Sequence, residues 1–267
     1  MAQNPLVILG GGYTGKALYK RATAEGYQVW CTSRQPDLHL TGIASQHRLH
    51  FDLNHPETWK ALPSDTSIIW CFPACPLDLV KRFMATRTQN PARLVVLGST
   101  SAYPAQGMMI QEQWKPNFAL PRVQGEEYLR TTAGAIIIRL AGIYGPGRNI
   151  LDWIRKGKIR NTPRLVNLVH VEDVVGISMK ALAEAPAGST YLASDGTPRA
   201  WSTICHYAKQ KWGIPIPPET KAPDPGKRID NHKILKELHY HFRFPDLYTA
   251  LDHLETQQCD KDEPSFS

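Results

Sequence analysis

The feature that most constrains this chain is a knot of glycines between two apolar runs, "PLVILGGGYTGKALYKRATAEGYQVWCTSR", at positions 5–34. Gly10-Gly11-Gly12-Tyr13-Thr14-Gly15 is a G-x-G-x-x-G pattern that leaves a strand and enters a helix. Gly10 permits a tight turn, Gly12 lets the backbone approach a pyrophosphate, and Gly15 lets helix and strand pack closely. Tyr13 and Thr14 fill the positions between them. The helix that follows offers unsatisfied N–H groups and the positive end of its dipole. These residues, Gly10, Gly12, Tyr13, Thr14 and Gly15, therefore predict a βαβ unit that grips a dinucleotide.

The end of the second strand selects which dinucleotide. Chains that hold NAD place an Asp or Glu there to bond the ribose 2′-hydroxyl. This chain has Thr32-Ser33-Arg34. A guanidinium suits a 2′-phosphate because its planar fork binds two oxygens and never deprotonates. The expected cofactor is NADP with Arg34 on the phosphate. NAD, with Asp37 on the ribose, is the alternative.

Through the first two thirds, strand-like and helical runs alternate. Positions 6–9, 28–32, 68–72, 94–97 and 135–139 are short, Val/Ile-rich and largely apolar on both faces, as in a parallel sheet covered on both sides. Helical runs at 15–25, 56–62, 77–86 and 125–131 lie between them, and Gly26 stands where the first helix needs a left-handed cap. The expected fold is α/β, a Rossmann-type doubly wound parallel sheet with a small C-terminal substrate lobe. Residues 1–147 with about 166–198 form the dinucleotide-binding part, and 148–165 with 199–259 the substrate side. Further helices are expected at 171–185, 201–211 and 246–254. Five prolines within 212–226 exclude regular structure there, and the last eight residues read as a frayed tail.

A chain of 267 residues buries roughly 70–75% of its unfolded surface and needs no disulfide or structural metal. Its five cysteines have no disulfide or zinc spacing, so they read as free thiols in a reducing, cytoplasmic setting. No run is long enough to span a membrane. The net charge of +7 points to anionic partners, phosphates before nucleic acid. Six Lys or Arg fall within 148–164 against one acid, Asp152. If this stretch overlies the carboxyl edge of the sheet, Arg148, Arg155 or Arg160 would bind a phosphate or carboxylate; otherwise it is a solvated loop. Trp153 is its one aromatic, which speaks against nucleic acid. The histidines lack carboxylate or cysteine partners at ligand spacing, so no metal is expected.

The glycine loop, "FDLNHP" (51–56), "VVLGSTSAYP" (95–104), "IIIRLAGIYGPGR" (136–148) and "VNLVHVEDVV" (166–175) occur in the order of extended short-chain dehydrogenase/reductases, a family that includes nucleotide-sugar epimerases and dehydratases. "NHKILKELHYHFRFPDLYTAL" (231–251) resembles its C-terminal segment, so the likeness spans nearly the whole chain. The resemblance implies that Asp52 accepts from the adenine amino group and Leu53 flanks the ring. It implies that Ser99, four residues before Tyr103, bonds the reacting oxygen, with Thr100 and Ser101 as turn residues. His170 would reach toward the substrate, and Asp173 would either help it or simply favour the first turn of a helix. Arg139 would end its strand near the ligand edge.

The family's Tyr-x-x-x-Lys pair is missing. In "NFALPRVQGEEYLR", setting Glu126 on the family's acidic position puts Arg122 in place of the lysine and Phe118, which has no proton to give, in place of the tyrosine. Ser99 and Arg122 are therefore the candidate catalytic residues, with Phe118 lining their pocket. Tyr103, Tyr144 and Cys71 lie on segments that could reach the cleft, though core positions suit them better. The expectation is an atypical NADP-binding member, an oxidoreductase or nucleotide-sugar epimerase/dehydratase-like enzyme on a small anionic substrate. A non-catalytic NADP-binding regulator or scaffold is the alternative. The sequence does not name the substrate or the oligomeric state.

Overall fold

The computed structural model describes residues 4–87 and 91–262. The chain begins β1 (Leu6–Leu9), α1 (Tyr13–Ala24), β2 (Val29–Ser33), α2 (Pro36–His39), β3 (Arg48–His50), β4 (Ser67–Trp70) and α3 (Leu77–Thr86). It continues with β5 (Leu94–Ser99), β6 (Gln106–Ile110), α4 (Pro121–Thr132), β7 (Ile136–Leu140), β8 (Gly142–Tyr144) and α5 (Ile150–Arg155). Then come β9 (Leu165–Val166), β10 (Leu168–His170), α6 (Val171–Glu184), β11 (Thr190–Ala193) and β12 (Arg199–Ala200). Last are α7 (Trp201–Trp212), β13 (Gly226–Ile229), α8 (His232–Glu237) and α9 (Leu247–Asp262).

Seven parallel strands form one sheet in the order β3-β2-β1-β4-β5-β7-β11. The chain builds outward from β1 to β3, then crosses over to β4 and builds the other way. The strand order therefore reverses between β1 and β4, and a crevice opens outside the carboxyl ends of these strands. The Rossmann-type sheet expected from the sequence is present.

Alternation along β1 shows how the layers form. Leu6 and Ile8 join Leu18 and Ala22 of α1 and Val174 and Ile177 of α6 on one face. Val7 and Leu9 join Val80 and Phe83 of α3 and Leu129 of α4 on the other. All four β1 side chains are fully buried, which is why the run reads as continuously apolar. A third core joins α5, α7 and α9 through Ile150, Leu151, Ile204, Ala208, Ala250 and Leu251. A second sheet, β12-β9-β13-β6, lies beyond the carboxyl end of β5 in the chain's course, and β8 pairs with β10. Its strand β6 comes from the stretch between β5 and α4.

Several boundaries differ from the sequence reading. α1 begins at Tyr13, two residues early, because Gly12 itself is the N-cap. α4 starts at Pro121 rather than 125, with proline in the first turn, where its missing N–H costs nothing. The run 56–62 is a 3₁₀ helix, Pro56–Ala61. The expected tail at 260 begins inside α9, which runs to Asp262; residues 263–267 lie outside the described residues. Gly26 does take the left-handed conformation, at φ +83°.

Candidate functional site

The glycine loop is fixed by three different steric demands. Gly10 has φ +98°, a turn out of β1 that disfavours any side chain. Its N–H donates to Thr32 Oγ1 at 2.9 Å, and the Gly11 N–H donates to the Thr32 carbonyl at 2.7 Å, pinning the loop to β2. A Cβ on Gly11 would stand 2.3 Å from Leu40 Cδ2, and one on Gly15 would stand 2.0 Å from the Gly10 carbonyl oxygen. A Cβ on Gly12 would meet nothing within 4 Å. Gly10, Gly11 and Gly15 thus serve the protein's own packing, whereas Gly12 leaves room for something outside it. α1 starts with no side-chain cap and no acid in its first turn, so its opening N–H groups remain available to an anion.

These groups border a depression of about 780 Å³ at the strand-order reversal, within the usual range for small-molecule sites. Gly10, Gly12, Tyr13, Arg34, Asp52 and Leu53 line it, as do Phe72 and Cys75 beyond β4. Thr14 and Gly15 do not line it: Gly15 is turned against Gly10, and Thr14 is absent from the wall. Lys16 lines it and was not singled out in the sequence, although a cation in the first turn of that helix was its signal. Arg34 stands at the junction with a smaller polar depression formed with His39, His50, His55 and Glu57. It makes no ion pair or side-chain hydrogen bond among the described residues. Asp37 is otherwise placed: its carboxylate is 96% exposed, lies 3.6 Å from Arg48, and takes no part in the wall. Asp52 Oδ1 accepts from the Asn54 backbone and side-chain amides at 2.9 and 3.1 Å. An open Gly12 cradle, an uncapped helix start and two free cations fit a dinucleotide phosphate chain.

Ser99 ends β5 on the same edge of the sheet. Its Oγ accepts from the Ser101 N–H at 3.2 Å and lies 3.2 Å from Ser101 Oγ. Arg122, in the first turn of α4, donates to Ser101 Oγ. Ser101, read from the sequence as a turn residue, is therefore the link between Ser99 and Arg122. Lys227 Nζ reaches the same turn from β13, donating to the carbonyls of Thr100, at 2.9 Å, and Tyr103. No local sequence signal could have linked residues more than 120 positions apart.

Phe118 does not join them. It precedes α4, is half exposed, and lines a separate depression with Trp114, Glu127 and Arg139. The expectation that it lines the Ser99 pocket is corrected, because the helix begins only at Pro121. Arg139 faces inward rather than toward a ligand: it pairs with Glu126 at 3.1 Å and Glu127 at 2.7 Å, and donates to Tyr103 Oη at 2.6 Å. Tyr103 and Tyr144 are buried, and burial pushes both phenols and the Cys71 thiol upward.

His170 is buried under Phe244 at a ring distance of 3.7 Å, and its Nδ1 accepts from the Glu172 N–H at 3.3 Å. It caps α6 instead of reaching a substrate. Burial, with Arg243 and His253 nearby, lowers its imidazole to about 4. Asp173 is wholly buried and accepts from Tyr240 Oη at 2.9 Å and from the N–H groups of Arg243 and Phe244 at 2.7 and 3.0 Å. It ties the C-terminal segment to α6.

The basic stretch is also differently employed. Arg155 donates to Asp152 at 3.0 Å and to both oxygens of buried Glu255 on α9. Arg148 lies over the rings of Tyr13 and Trp153, at 5.2 and 5.8 Å. Arg164 pairs with Asp224 at 2.8 Å. Beyond Asp152, the counter-charges for Arg155 and Arg164, Glu255 and Asp224, lie 60 to 100 positions later, invisible in a local count. Among the described residues no group of three or more His, Cys, Asp or Glu could hold a metal ion, and no helix is long and apolar enough to cross a membrane.

No family model matches the chain. It is 28% identical to Protein YeeZ of Escherichia coli K12 over 90% of its own length and 96% of the relative's. Among solved structures it superposes at a TM-score of 0.79 on a short-chain dehydrogenase/reductase superfamily protein from Agrobacterium tumefaciens with bound NAD, at 14% identity, covering 96% of this chain and 97% of that one. It superposes at 0.77 on MoeE5 in complex with UDP-glucose and NAD, at 17% identity, covering 96% and 99%. The fold of this chain is that of these nicotinamide-dinucleotide-binding structures.

Proposed function

We propose that this chain, which has the fold of short-chain dehydrogenase/reductases, is an atypical extended member that binds NADP and acts on a small anionic substrate. The reaction would be that of an oxidoreductase or a nucleotide-sugar epimerase or dehydratase. The observation that carries this reading is the open Gly12 cradle at the strand-order reversal, with unpaired Arg34 at its far end. Bound NADP would supply a hydride acceptor, and its reduced form a hydride donor. Gly12 and the α1 N-terminus would hold the pyrophosphate, with Lys16 beside it. Arg34 would take the 2′-phosphate, and Asp52 and Leu53 would flank the adenine. Two solved structures of this fold contain NAD, and one also contains UDP-glucose. That supports both a nicotinamide cofactor and a nucleotide-bearing substrate.

At the other end of the crevice, Ser99 would bond the reacting oxygen through its hydroxyl. The Arg122 guanidinium has donors and no acceptor, so its part is to orient and to stabilise negative charge, not to relay a proton. The cysteines among the described residues, Cys31, Cys71, Cys75 and Cys205, are free thiols, which supports a cytoplasmic setting. Titration with NADPH and NADH, followed by turnover assays on nucleotide sugars and carbonyl compounds, tests the proposal. Tight NADPH binding with turnover supports it; failure to bind either dinucleotide ends it. One observation favours a second reading, a non-catalytic NADP-binding regulator or scaffold: Phe118 occupies the tyrosine's place in sequence, and neither Tyr103 nor Tyr144 is exposed. NADPH binding with no turnover across that panel would select it.

A further inference from the structure

Where the cofactor depression ends at Arg34, a second hollow of about 470 Å³ continues from it, and Arg34, His39 and Asp52 belong to both walls. His50, His55 and Glu57 complete the charged wall of the second hollow. Separate elements bring these residues together: Arg34 follows β2, His39 ends α2, His50 ends β3, and Glu57 lies in the first turn of the 3₁₀ helix Pro56–Ala61. The parallel pairing of β2 with β3 sets Ser33 beside His50, so the two strand ends open onto one rim. Three imidazoles thus stand around one guanidinium.

The permanent charges of this hollow do not favour an anion. Arg34 is the one permanent cation in its wall, against the two carboxylates of Asp52 and Glu57. A 2′-phosphate entering beside Arg34 alone would meet a net negative wall. The imidazoles decide the sign, because histidine is the side chain whose charge changes between about pH 5 and 8. With the three rings protonated, four cations face two acids. Ser33 Oγ accepts from the Gln35 N–H at 3.1 Å and lies 2.9 Å from His39 Nδ1, which steadies that ring and leaves Nε2 for a ligand. His55 Nδ1 lies 3.0 Å from Glu57 Oε1. The backbone N–H of Glu57, and then His55 and His50, hold its carboxyl below the ordinary value, so His50 acts on the same acid. Neighbouring charges are turned elsewhere. Asp37 lies 3.6 Å from Arg48, Arg48 donates to the Thr41 and Ile43 carbonyls, and His47 Nδ1 lies 2.7 Å from the Val29 carbonyl. Lys60, on the 3₁₀ helix of Glu57, lines a different depression.

We propose that His39, His50 and His55 are specificity-determining residues of the cofactor site: protonated, they join Arg34 on the 2′-phosphate, so NADPH is taken up together with protons and NADH is not. The inference rests on the functional reading above and adds a regulation to it. The preference for NADPH is strong in mildly acid solution and fades as the pH rises. The sign follows from linkage. A bound phosphate dianion stabilises a charged ring, so the complex holds more protons than the free protein, and affinity climbs as the pH falls. The climb ends near about pH 6, where the phosphate itself takes up a proton.

The test is fluorescence titration of the whole protein with NADPH and with NADH at pH 6.5 and 8.5. NADPH is expected to bind about 10-fold or more tightly at the lower pH, the gain of one charge-assisted contact, and NADH to change less than about twofold. In a triple variant, His39→Asn with His50→Gln and His55→Gln, the two NADPH affinities are expected to differ less than about threefold. Glu57→Gln, which removes one acid, is expected to strengthen NADPH at pH 8.5 and leave NADH unchanged. All four side chains are exposed, so the variants are expected to fold, and melting curves verify it. Calorimetry in two buffers of different ionisation heat gives a second readout: net proton uptake with NADPH at pH 7.5, and none with NADH. An NADPH profile as flat as that of NADH, a triple variant as steep as the parent, or weaker NADPH binding in Glu57→Gln at pH 8.5 would overturn the inference and leave the cofactor reading in place. Failure of both dinucleotides to bind at either pH ends the cofactor reading, and this inference with it.

Discussion

A methyl group has opposite consequences at two glycines three residues apart. Gly15→Ala places a Cβ 2.0 Å from the Gly10 carbonyl oxygen, against backbone that cannot yield. The expected outcome is a loss of several kcal/mol, seen as a collapse of the melting temperature or failure to fold. Gly12→Ala meets open space at an ordinary φ of −75°, so the melting temperature should move little. NADPH affinity should nevertheless fall at least about 10-fold, because the methyl enters the space proposed for the pyrophosphate. Equal effects of the two substitutions on stability would contradict the division of roles. Arg34 gives a second contrast. Arg34→Ala should weaken NADPH by about 10–150-fold, the range for one charge-assisted contact, and leave NADH almost unchanged. Equal losses for both cofactors, measured by fluorescence titration, would remove Arg34 from the 2′-phosphate.

At the scale of elements, α6 shows how a polar start is made to hold a distant segment. His170 caps it neutral, and Asp173 one turn later gathers three donors from 240–244. Asp173→Ala would leave two backbone N–H groups and a phenol without acceptors, at a cost of about 3 kcal/mol in urea unfolding. His170 contributes a defined pH dependence. Its folded value, about 4, lies below its ordinary 6.5, so between these values the unfolded chain binds the extra proton. Its share of stability is full above about pH 6.5, falls as the pH drops toward about 4, and changes no further below that. In His170→Asn, the stability lost between pH 7 and pH 4 should be smaller than in the parent; an identical loss would mean that the imidazole is not held neutral. α4 teaches the converse lesson. A proline and an arginine open it earlier than its apolar period suggested, which puts Arg122 in its first turn and leaves Phe118 outside.

Across the whole molecule, the packing of α5 against α9 decides what the basic stretch does. Arg155 and Asn149 both donate to Glu255, which is buried, so this contact closes the third core over a separation of about 100 residues. Glu255→Ala should cost about 1–3 kcal/mol, read as a lower urea midpoint, because it strands the buried Asn149 amide and leaves the Arg155 guanidinium without its main partner. Arg155→Glu should destabilise further by opposing two carboxylates. Neither change should alter the NADPH preference proposed for Arg34, on the far side of the sheet's switch point. A shift in cofactor preference in either variant would show that the third core and the glycine loop are coupled.

What the sequence determined by itself is what a short stretch can encode. Steric rules acting within a few residues made β1, the glycine turn and α1 legible, and two-sided burial made the parallel strands read as apolar runs. Arg34 was legible for the same reason, since it follows its strand directly. The strands β9 and β12, two residues each, are too short for any periodicity, and β6 (QGMMI) and β13 (GKRI) are not apolar runs, so no local pattern marked them. Charge was legible only as a total. Whether a given arginine meets a carboxylate, a ring or open solvent depends on partners tens of residues away. Tertiary packing therefore removed Arg155 from any ligand, turned Arg139 inward to Glu126 and Glu127, and brought Lys227 to the turn beside Ser99. Electrostatic energy depends on distance in space, and distance in space is fixed only once the chain has closed.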